Sequence, residues 1–468
     1  MAFVPLPGVF ILRFLERMRP SQVSAVRRQA TSMCQSDRGR DRFFVLELPD
    51  FGLAHFTLCG DCGDSAHRIA STRRDTRLET FLLAPGRSYS LYVPIAPGSG
   101  YGGRIRAARL HQHLLKQLSR EPFQKCQLRR LLSYSPDSPP GSTEKGFVLW
   151  DPQDCLKIQK ALEGLLAACK APRPHLGMFE ADHSGQIWQS LWELPGGVGD
   201  EGRKLVGKLR VVSTEEPPLH PSVPDLQGSV VFPNLEEARE VIVQCTSSIP
   251  EAQEVLNLVD KCPKNAQKGK FPVIVIEGLD ATGKTTVTQR IAEALNAVFL
   301  KSPPPCVIQW RKIFDNEPAI IRRAYYSLGN YIMASEIAKE SMQGPVIIDR
   351  YWHSTAAYAI ATEISGFPHY LPPAHHLVYQ WPKDLLKPDI VLLLTVNPEE
   401  RIHRIQERGM NKTKEETELE TNKLFREKVE ISYQRMENPA CHIVDANPDR
   451  EEVIQTVLSV IKKYCTSL

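Results

Sequence analysis

The stretch that most constrains this 468-residue chain is Gly278-Leu279-Asp280-Ala281-Thr282-Gly283-Lys284-Thr285. Its spacing, G-x-x-x-x-G-K-T, is that of a loop that wraps backbone N–H groups around a polyphosphate. Gly278 and Gly283 fall where a Cβ would block that approach. Lys284 is spaced to reach the outer phosphates, and the Thr285 hydroxyl to ligate Mg²⁺. The flanks agree with this reading. Val273-Ile274-Val275-Ile276 is a continuous apolar run, as expected of a parallel strand buried on both faces. Val287, Ile291 and Leu295 then recur at i, i+4 and i+8, one face of a helix whose positive N-terminal end points at the loop.

Strand and helix patterns alternate from there to the end. Residues 298–300, 346–349, 389–394 and 442–445 predict strands, and 320–340 and 451–464 predict helices. Ser302-Pro303-Pro304-Pro305 is a stiff turn, because three prolines continue neither a helix nor a central strand. This alternation predicts an α/β unit over 265–468, a doubly wound and mostly parallel sheet with ligands at the carboxyl ends of its strands. Ahead of it, 43–48, 54–58, 89–93 and 146–150 predict strands and 156–169 a helix. That makes a smaller α+β domain over 43–215, of unknown role. The Pro-rich Glu215–Pro221 marks a break, and helices at 235–244 and 251–259 complete a connecting region over 216–264.

Net charge is +4, from 58 basic and 54 acidic residues, too weak to argue for a nucleic-acid partner. No run approaches the length of apolar residues that a transmembrane helix needs. The 11 cysteines are scattered, which suits reduced thiols inside a cell. Cys59-Gly60-Asp61-Cys62, with His55 and His67 near it, has the spacing of half a zinc site or of a redox dithiol. No second ligand pair matches it and no helix opens after it, which favours an ordinary turn. Residues 1–40 hold seven arginines, no lysine and two acids around an apolar Val9-Phe10-Ile11-Leu12. Such a start fits a mitochondrial presequence, or a disordered basic tail.

Phosphoryl transfer needs a phosphate cradle, a metal and positive charge on the migrating group. The cradle is Gly278 to Thr286. Asp349, at the end of its strand, is placed to bind or orient Mg²⁺. Arg350 beside it has the fork geometry to hold an acceptor phosphate. Arg401, Arg404, Arg408, Lys412 and Lys414 form a basic flap with Gly409 as a hinge, suited to closing over a nucleotide. Glu399, Glu400 and Glu407 interleave, so Arg401 and Arg404 read equally as a solvated helix face, and Arg408 is favoured.

Glu277 to Thr286, then Asp349-Arg350-Tyr351-Trp352-His353-Ser354-Thr355-Ala356-Ala357-Tyr358, then Lys387 to Leu394 and the basic flap, resemble the thymidylate kinase family. The resemblance covers about 265–468. It implies an ATP- and Mg²⁺-dependent nucleoside monophosphate kinase and a homodimer. Lys284, Asp280, Asp349, Arg350 and Arg408 would serve the chemistry, and Thr285 and Asp349 the metal. Asp280 would lie near the acceptor phosphate, clamped by Arg350, with Ser354 and Tyr358 along the acceptor pocket. Asp445, Ala446 and Asn447 would border adenine. Two departures stand out. Ala281 sits where some members place an arginine, so that charge must come from the flap. Asn330 or Tyr331 falls where the family usually has a base-reading arginine, which favours CMP, UMP and their deoxy forms over dTMP. Tyr326, Tyr331 and Tyr358 would form a flat slot for the ring. With the presequence-like start, the resemblance extends to mitochondrial nucleotide supply and a link to interferon responses. A dTMP kinase, an ATP-gated binding protein without turnover, and a nucleoside kinase whose acceptor lacks a 5′-phosphate are the other readings.

Overall fold

A computed structural model describes residues 42–60, 75–96, 98–136, 139–169, 172–193, 204–408, 419 and 421–465. The first folded unit is a closed barrel. Its antiparallel strands are β1 (Phe43–Glu47), β2 (Leu53–Cys59), β3 (Arg87–Tyr92), β4 (Gln127–Tyr134), β5 (Glu144–Asp151), β6 (His175–Ala181), β7 (Ile187–Glu193) and β8 (Lys204–Ser213). They run in the order β1-β2-β8-β7-β6-β3-β5-β4, and pairing of β4 with β1, Phe43 opposite Tyr134, closes the ring. Closure removes the open edges that an antiparallel sheet would otherwise expose.

Strand alternation sorts the side chains. Phe44, Phe56, Tyr92 and Phe179 share the interior. Helix α1 (Thr76–Leu82), capped by Asp75 accepting from Arg77 N and Leu78 N, plugs that core with Leu78, Phe81 and Leu82. The opposite residues, Tyr89, Leu91, Phe147 and Leu149, are covered by α2 (Gly100–Leu118) and α3 (Leu156–Ala167). Burial on both faces of the wall accounts for the continuous apolar run Phe147-Val148-Leu149 in β5, whose side chains alternate between the two cores. The α+β expectation holds here, and barrel closure is the added finding. Cys59 ends β2 half-buried, while Cys62 and His67 lie outside the described residues.

The Pro-rich break at 215–221 is packed down, not a free tether. His220 is 4% exposed and its Nε2 lies 3.0 Å from Ser365 Oγ. Helices α4 (Leu235–Val243) and α5 (Glu251–Val259) follow. Asn234 caps α4 by accepting from Glu237 N at 2.9 Å.

The second unit runs β9 (Val273–Gly278), α6 (Lys284–Ala294), β10 (Val298–Lys301), α7 (Ala319–Glu340), β11 (Val346–Asp349), α8 (Trp352–Glu363), β12 (Ile390–Thr395), α9 (Pro398–Arg408), α10 (Lys423–Arg435), β13 (Cys441–Asp445) and α11 (Arg450–Tyr464). All five strands are parallel, in the order β10-β11-β9-β12-β13. Ile274 and Ile276 face α6 and α11, while Val273 and Val275 face α8 and α10. The continuous apolar run of β9 therefore follows from its central place. The chain reverses direction across the sheet at β9, and its carboxyl end is where such sheets bind ligands. Among the described residues, no helix is long and apolar enough to cross a membrane.

Candidate active site

The loop after β9 closes onto α6 as its spacing predicts. Gly278 has φ +143°, and a Cβ there would lie 2.5 Å from Leu394 O of β12. The neighbouring strand, not only the approach of a phosphate, thus demands glycine at this point. Gly283, at φ +88°, caps α6. Lys284 is buried, and its Nζ donates to Leu279 O. Burial, and then the charge of Arg350, lower its pKa to about 8.

Glu277, the residue before the loop, is fully buried. Its Oε1 accepts from Tyr351 N at 2.9 Å and Ser354 N at 3.2 Å. Its Oε2 accepts from Ser354 Oγ at 2.5 Å and the Tyr433 hydroxyl at 3.3 Å. A carboxylate from β9 thereby caps the N-terminus of α8, where the helix dipole favours negative charge. Burial pushes this carboxyl up, against the opposing pull of Arg350 and of its hydrogen bonds.

Arg350 adopts φ +70° and donates its backbone N–H to Ile276 O at 3.0 Å. Its Nη2 meets Asp280 Oδ1 at 2.5 Å and its Nη1 meets Ser354 Oγ at 3.0 Å. The guanidinium carbon lies 5.7 Å from the Tyr358 ring centroid. The structure thus brings Asp280, Arg350, Ser354 and Tyr358 together. Burial alone would raise the Asp280 carboxyl, but Arg350 and Lys284 outweigh it and hold it below the usual carboxylate range.

Thr285 Oγ1 donates to Asp349 Oδ2 at 2.7 Å, and Asp349 Oδ1 is buried with no partner among the described residues. Two hard oxygen donors beside a phosphate loop fit Mg²⁺, which takes few protein ligands and completes its shell with phosphates and water. Among the described residues, no cluster of three or more His, Cys, Asp or Glu side chains suits a self-sufficient metal cage.

The base-reading expectations divide. Asn330 is buried on α7, its Nδ2 donates to Thr355 Oγ1 at 3.1 Å, and its Oδ1 has no partner among the described residues. Tyr331 is instead a core residue whose hydroxyl donates to Asp384 Oδ1 at 2.6 Å. One residue further along a helix turns the side chain by about 100°, which carries Tyr331 away from the face of Asn330. Tyr326 is also committed elsewhere, donating to Asp315 Oδ1 at 2.8 Å and accepting from Arg311 Nε at 3.1 Å. The three-tyrosine slot does not form, and Tyr358 alone remains beside Arg350.

The flap falls only partly within the described residues. Arg408 ends α9, but its side chain, Gly409, Lys412 and Lys414 lie outside the described residues. Arg401 is 1% exposed; its Nη2 donates to Leu419 O at 3.0 Å, and its Nε and Nη1 lack partners among the described residues. Burial, and then the charge of Arg426, lower its pKa against the smaller opposing pull of Glu430 and Asp280. Arg404 donates to Glu400 Oε1 at 2.7 Å and to Ala446 O at 3.0 Å, and its Nη1 is 4.0 Å from a Cβ built on Gly283. Arg404 thus lies beside the phosphate loop, and Arg401 is within electrostatic reach of Asp280. Asn447 accepts at Oδ1 from Asn397 N at 2.9 Å and donates its own N–H to Asp445 Oδ1 at 3.0 Å. With Leu279, Asn397 and Ile443, Asn447 lines a cavity of about 270 Å³; Ala446 is buried beneath. Glu277, Thr355 and Tyr433 are residues to which sequence spacing gave no role.

A parallel sheet, a phosphate loop at its centre and an arginine clamp at the next strand define a P-loop kinase. A family model for thymidylate kinase matches residues 276–457. Human UMP-CMP kinase 2, mitochondrial, is 61% identical over 453 residues, spanning 96% of this chain and 99% of that protein. The thymidylate kinase of Brachyspira hyodysenteriae is 27% identical over 42% of this chain and 95% of its own length. A solved thymidylate kinase from Candida albicans aligns with 41% of this chain and 92% of its own, at 21% identity and TM-score 0.32. The chain belongs to the thymidylate kinase family, in the group that includes human UMP-CMP kinase 2.

Lys284 generates a prediction about proton linkage. In the free protein its charge is present below pH 8 and lost above it, whereas a bound polyphosphate favours the charged form. ATP binding should therefore weaken as pH rises through about 8 and take up protons near pH 9. Calorimetry in two buffers of different ionisation enthalpy reads this directly. Binding that releases or exchanges no proton at the higher pH would contradict the buried-lysine geometry.

Proposed function

We propose that this chain transfers the γ-phosphate of ATP to pyrimidine nucleoside monophosphates, CMP and UMP and their deoxy forms, giving diphosphates. The observation that carries the proposal is the convergence of Arg350, Ser354 and Tyr358 beside Asp280 and the loop lysine. A phosphate clamp next to a nucleoside triphosphate cradle suits an acceptor that already bears a phosphate. The human relative named UMP-CMP kinase 2 supports the pyrimidine assignment.

An oxygen of the acceptor phosphate attacks the γ-phosphorus in line. The new P–O bond forms as the bond to the bridging oxygen breaks, and ADP leaves with that electron pair. No covalent intermediate or strong general base is needed, so positioning and charge carry the rate. Lys284 and the loop N–H groups hold the outer phosphates. Arg350 orients the acceptor, and Asp280 holds the fork of Arg350. The unpartnered nitrogens of Arg401 can supply the charge that Ala281 does not. Thr285 and Asp349 would hold Mg²⁺, directly or through water, and a bound Mg²⁺ would supply further neutralisation of the phosphates. Adenine occupies the side bordered by Asp445, Ala446 and Asn447.

Asn330 reads the base, steadied by Thr355. With its Nδ2 on Thr355, its Oδ1 accepts from the cytosine 4-amino group. With the amide turned and the Thr355 hydroxyl donating to it, Nδ2 instead meets the uracil 4-oxygen. Arginine could only donate. Full-length protein given ATP with a panel of CMP, UMP, dTMP, AMP and GMP should make CDP and UDP first. Asn330→Arg should lower the CMP/UMP ratio of kcat/KM about tenfold. A dTMP preference in the wild type, or an unmoved ratio in the variant, would overturn the base assignment. ATP binding without acceptor-dependent ADP would overturn the kinase assignment.

The seven arginines and two acids of residues 1–40, and the mitochondrial human relative, support a mitochondrial location. Deleting 1–40 should leave turnover in place and hold a tagged protein in the cytosol on imaging. An unchanged mitochondrial signal would place the address elsewhere in the chain.

A further inference from the structure

Several contacts between the barrel unit and the kinase unit fall at or beside the ends of two helices, and Tyr370, after the second of them, packs against Val45, Leu53 and Leu132 of the barrel. At the carboxyl end of α8, Glu363 forms an ion pair with Lys145 of β5, and the Glu363 side chain is only 9% exposed. Burial alone would raise the Glu363 carboxyl, but Lys145, with Arg130 behind it, outweighs burial and holds it below the usual carboxylate range. Next to it, Arg130 of β4 donates to Thr362 O at 3.5 Å. Phe51 O, in the turn between β1 and β2, lies 3.2 Å from a Cβ built on Gly366. At the start of α7, Arg109 of α2 is 3.1 Å from Glu317, and Gln112 donates to Asn316 O at 3.1 Å.

These are the helices that carry the acceptor-side residues. Asn330 lies on α7; Ser354, Thr355 and Tyr358 lie on α8. Helix α8 has 12 residues, so it is a rod of about 18 Å. Glu277 holds one end of the rod and Lys145 the other. Thr362 Oγ1 donates to Tyr358 O at 2.7 Å, which ties the barrel-facing turn to the turn that faces Arg350. A rod pinned at both ends cannot slide or tilt, and a small displacement of groups that orient a substrate is costly in rate.

We infer that the barrel braces the acceptor half of the active site, and that Lys145 is a positioning residue acting on α8 through Glu363. This rests on the reading above that α7 and α8 wall the acceptor pocket. Removing Lys145 strands a buried carboxylate, and the helix end must move to hydrate it. The ATP side is built from β9, α6, α9 and the turn after β13, so the damage should be one-sided.

The test uses the full chain, with CMP and ATP varied in turn. Lys145→Met should raise the CMP KM about tenfold and leave the ATP KM within about twofold, and Lys145→Arg should recover most of the loss. Arg109→Ala breaks a partly exposed pair, leaves folding intact and should raise the CMP KM about threefold. Melting curves separate folding from binding. If Lys145→Met does not fold, Arg109→Ala decides alone. An unmoved CMP KM, or equal losses for CMP and ATP, overturns the brace. Wild-type turnover of CMP is the control: without it the kinase reading fails, and with it only the brace is at stake.

Discussion

Glu277 leaves the carboxyl end of β9 with no exposure and accepts hydrogen bonds from Tyr351 N, Ser354 N, Ser354 Oγ and the Tyr433 hydroxyl. The loop that follows it and the helix it caps cannot move apart without breaking them. An unpaired buried carboxylate costs several kcal/mol, and each hydrogen bond to a charged group returns roughly 1.5–3 kcal/mol. The arrangement therefore favours burial only while all the donors are in place. This makes the junction all-or-none. It joins three separated segments, β9, the β11–α8 turn and α10, into one rigid floor. Arg350, whose backbone is pinned to Ile276 O, is aimed by that floor.

Above the floor, charge decides what can bind. Lys284, Arg350 and Arg401 are all buried or nearly so, and the drop of the Lys284 pKa to about 8 records the cost of crowding cations away from water. Asp280 answers Arg350 at 2.5 Å, and Asp349 turns toward Thr285. A polyphosphate relieves the crowding, which is why such a site selects anions before it selects bases. In the function proposed above, selection of the base falls to neutral groups further along α7 and α8. There the Asn330–Thr355 pair can exchange donor and acceptor roles.

Much of this was legible in the sequence for a physical reason. Apolar runs of β9, β11 and β12 are unbroken because those strands are buried on both faces, so the parallel sheet was readable without a partner in view. The loop was readable because its glycines and lysine are fixed by local backbone geometry. Arg350, Ser354 and Tyr358 lie within nine positions on one helix entrance, and their grouping survived. What spacing cannot carry is contact across long separations. Tyr433 meets Glu277 from 156 positions away, and Lys145 meets Glu363 across the boundary between the two folded units. Arg401 read equally as flap and as solvated helix face, because Glu399 and Glu400 beside it are polar, and spacing does not show that it faces Leu419. Tyr331 looked like a base contact because neighbours in sequence diverge by a helical step. Barrel closure was hidden for the same reason: β1 shows its own alternation but not that β4 returns to it.

The account stands on Glu277 as the joint between loop and acceptor helix, and Glu277→Gln addresses it most directly. The amide keeps the shape and loses the charge: its oxygen can still accept from Tyr351 N and Ser354 N, but its NH₂ then stands where Oε2 accepted from Ser354 Oγ and the Tyr433 hydroxyl. Calorimetric titration of CMP and of ATP, with a melting curve on the same sample, reads the consequence. The account predicts CMP affinity reduced more than about tenfold, ATP affinity reduced less, and a folded protein of lower melting temperature. Unchanged affinity for CMP in a variant that melts like the wild type would contradict it.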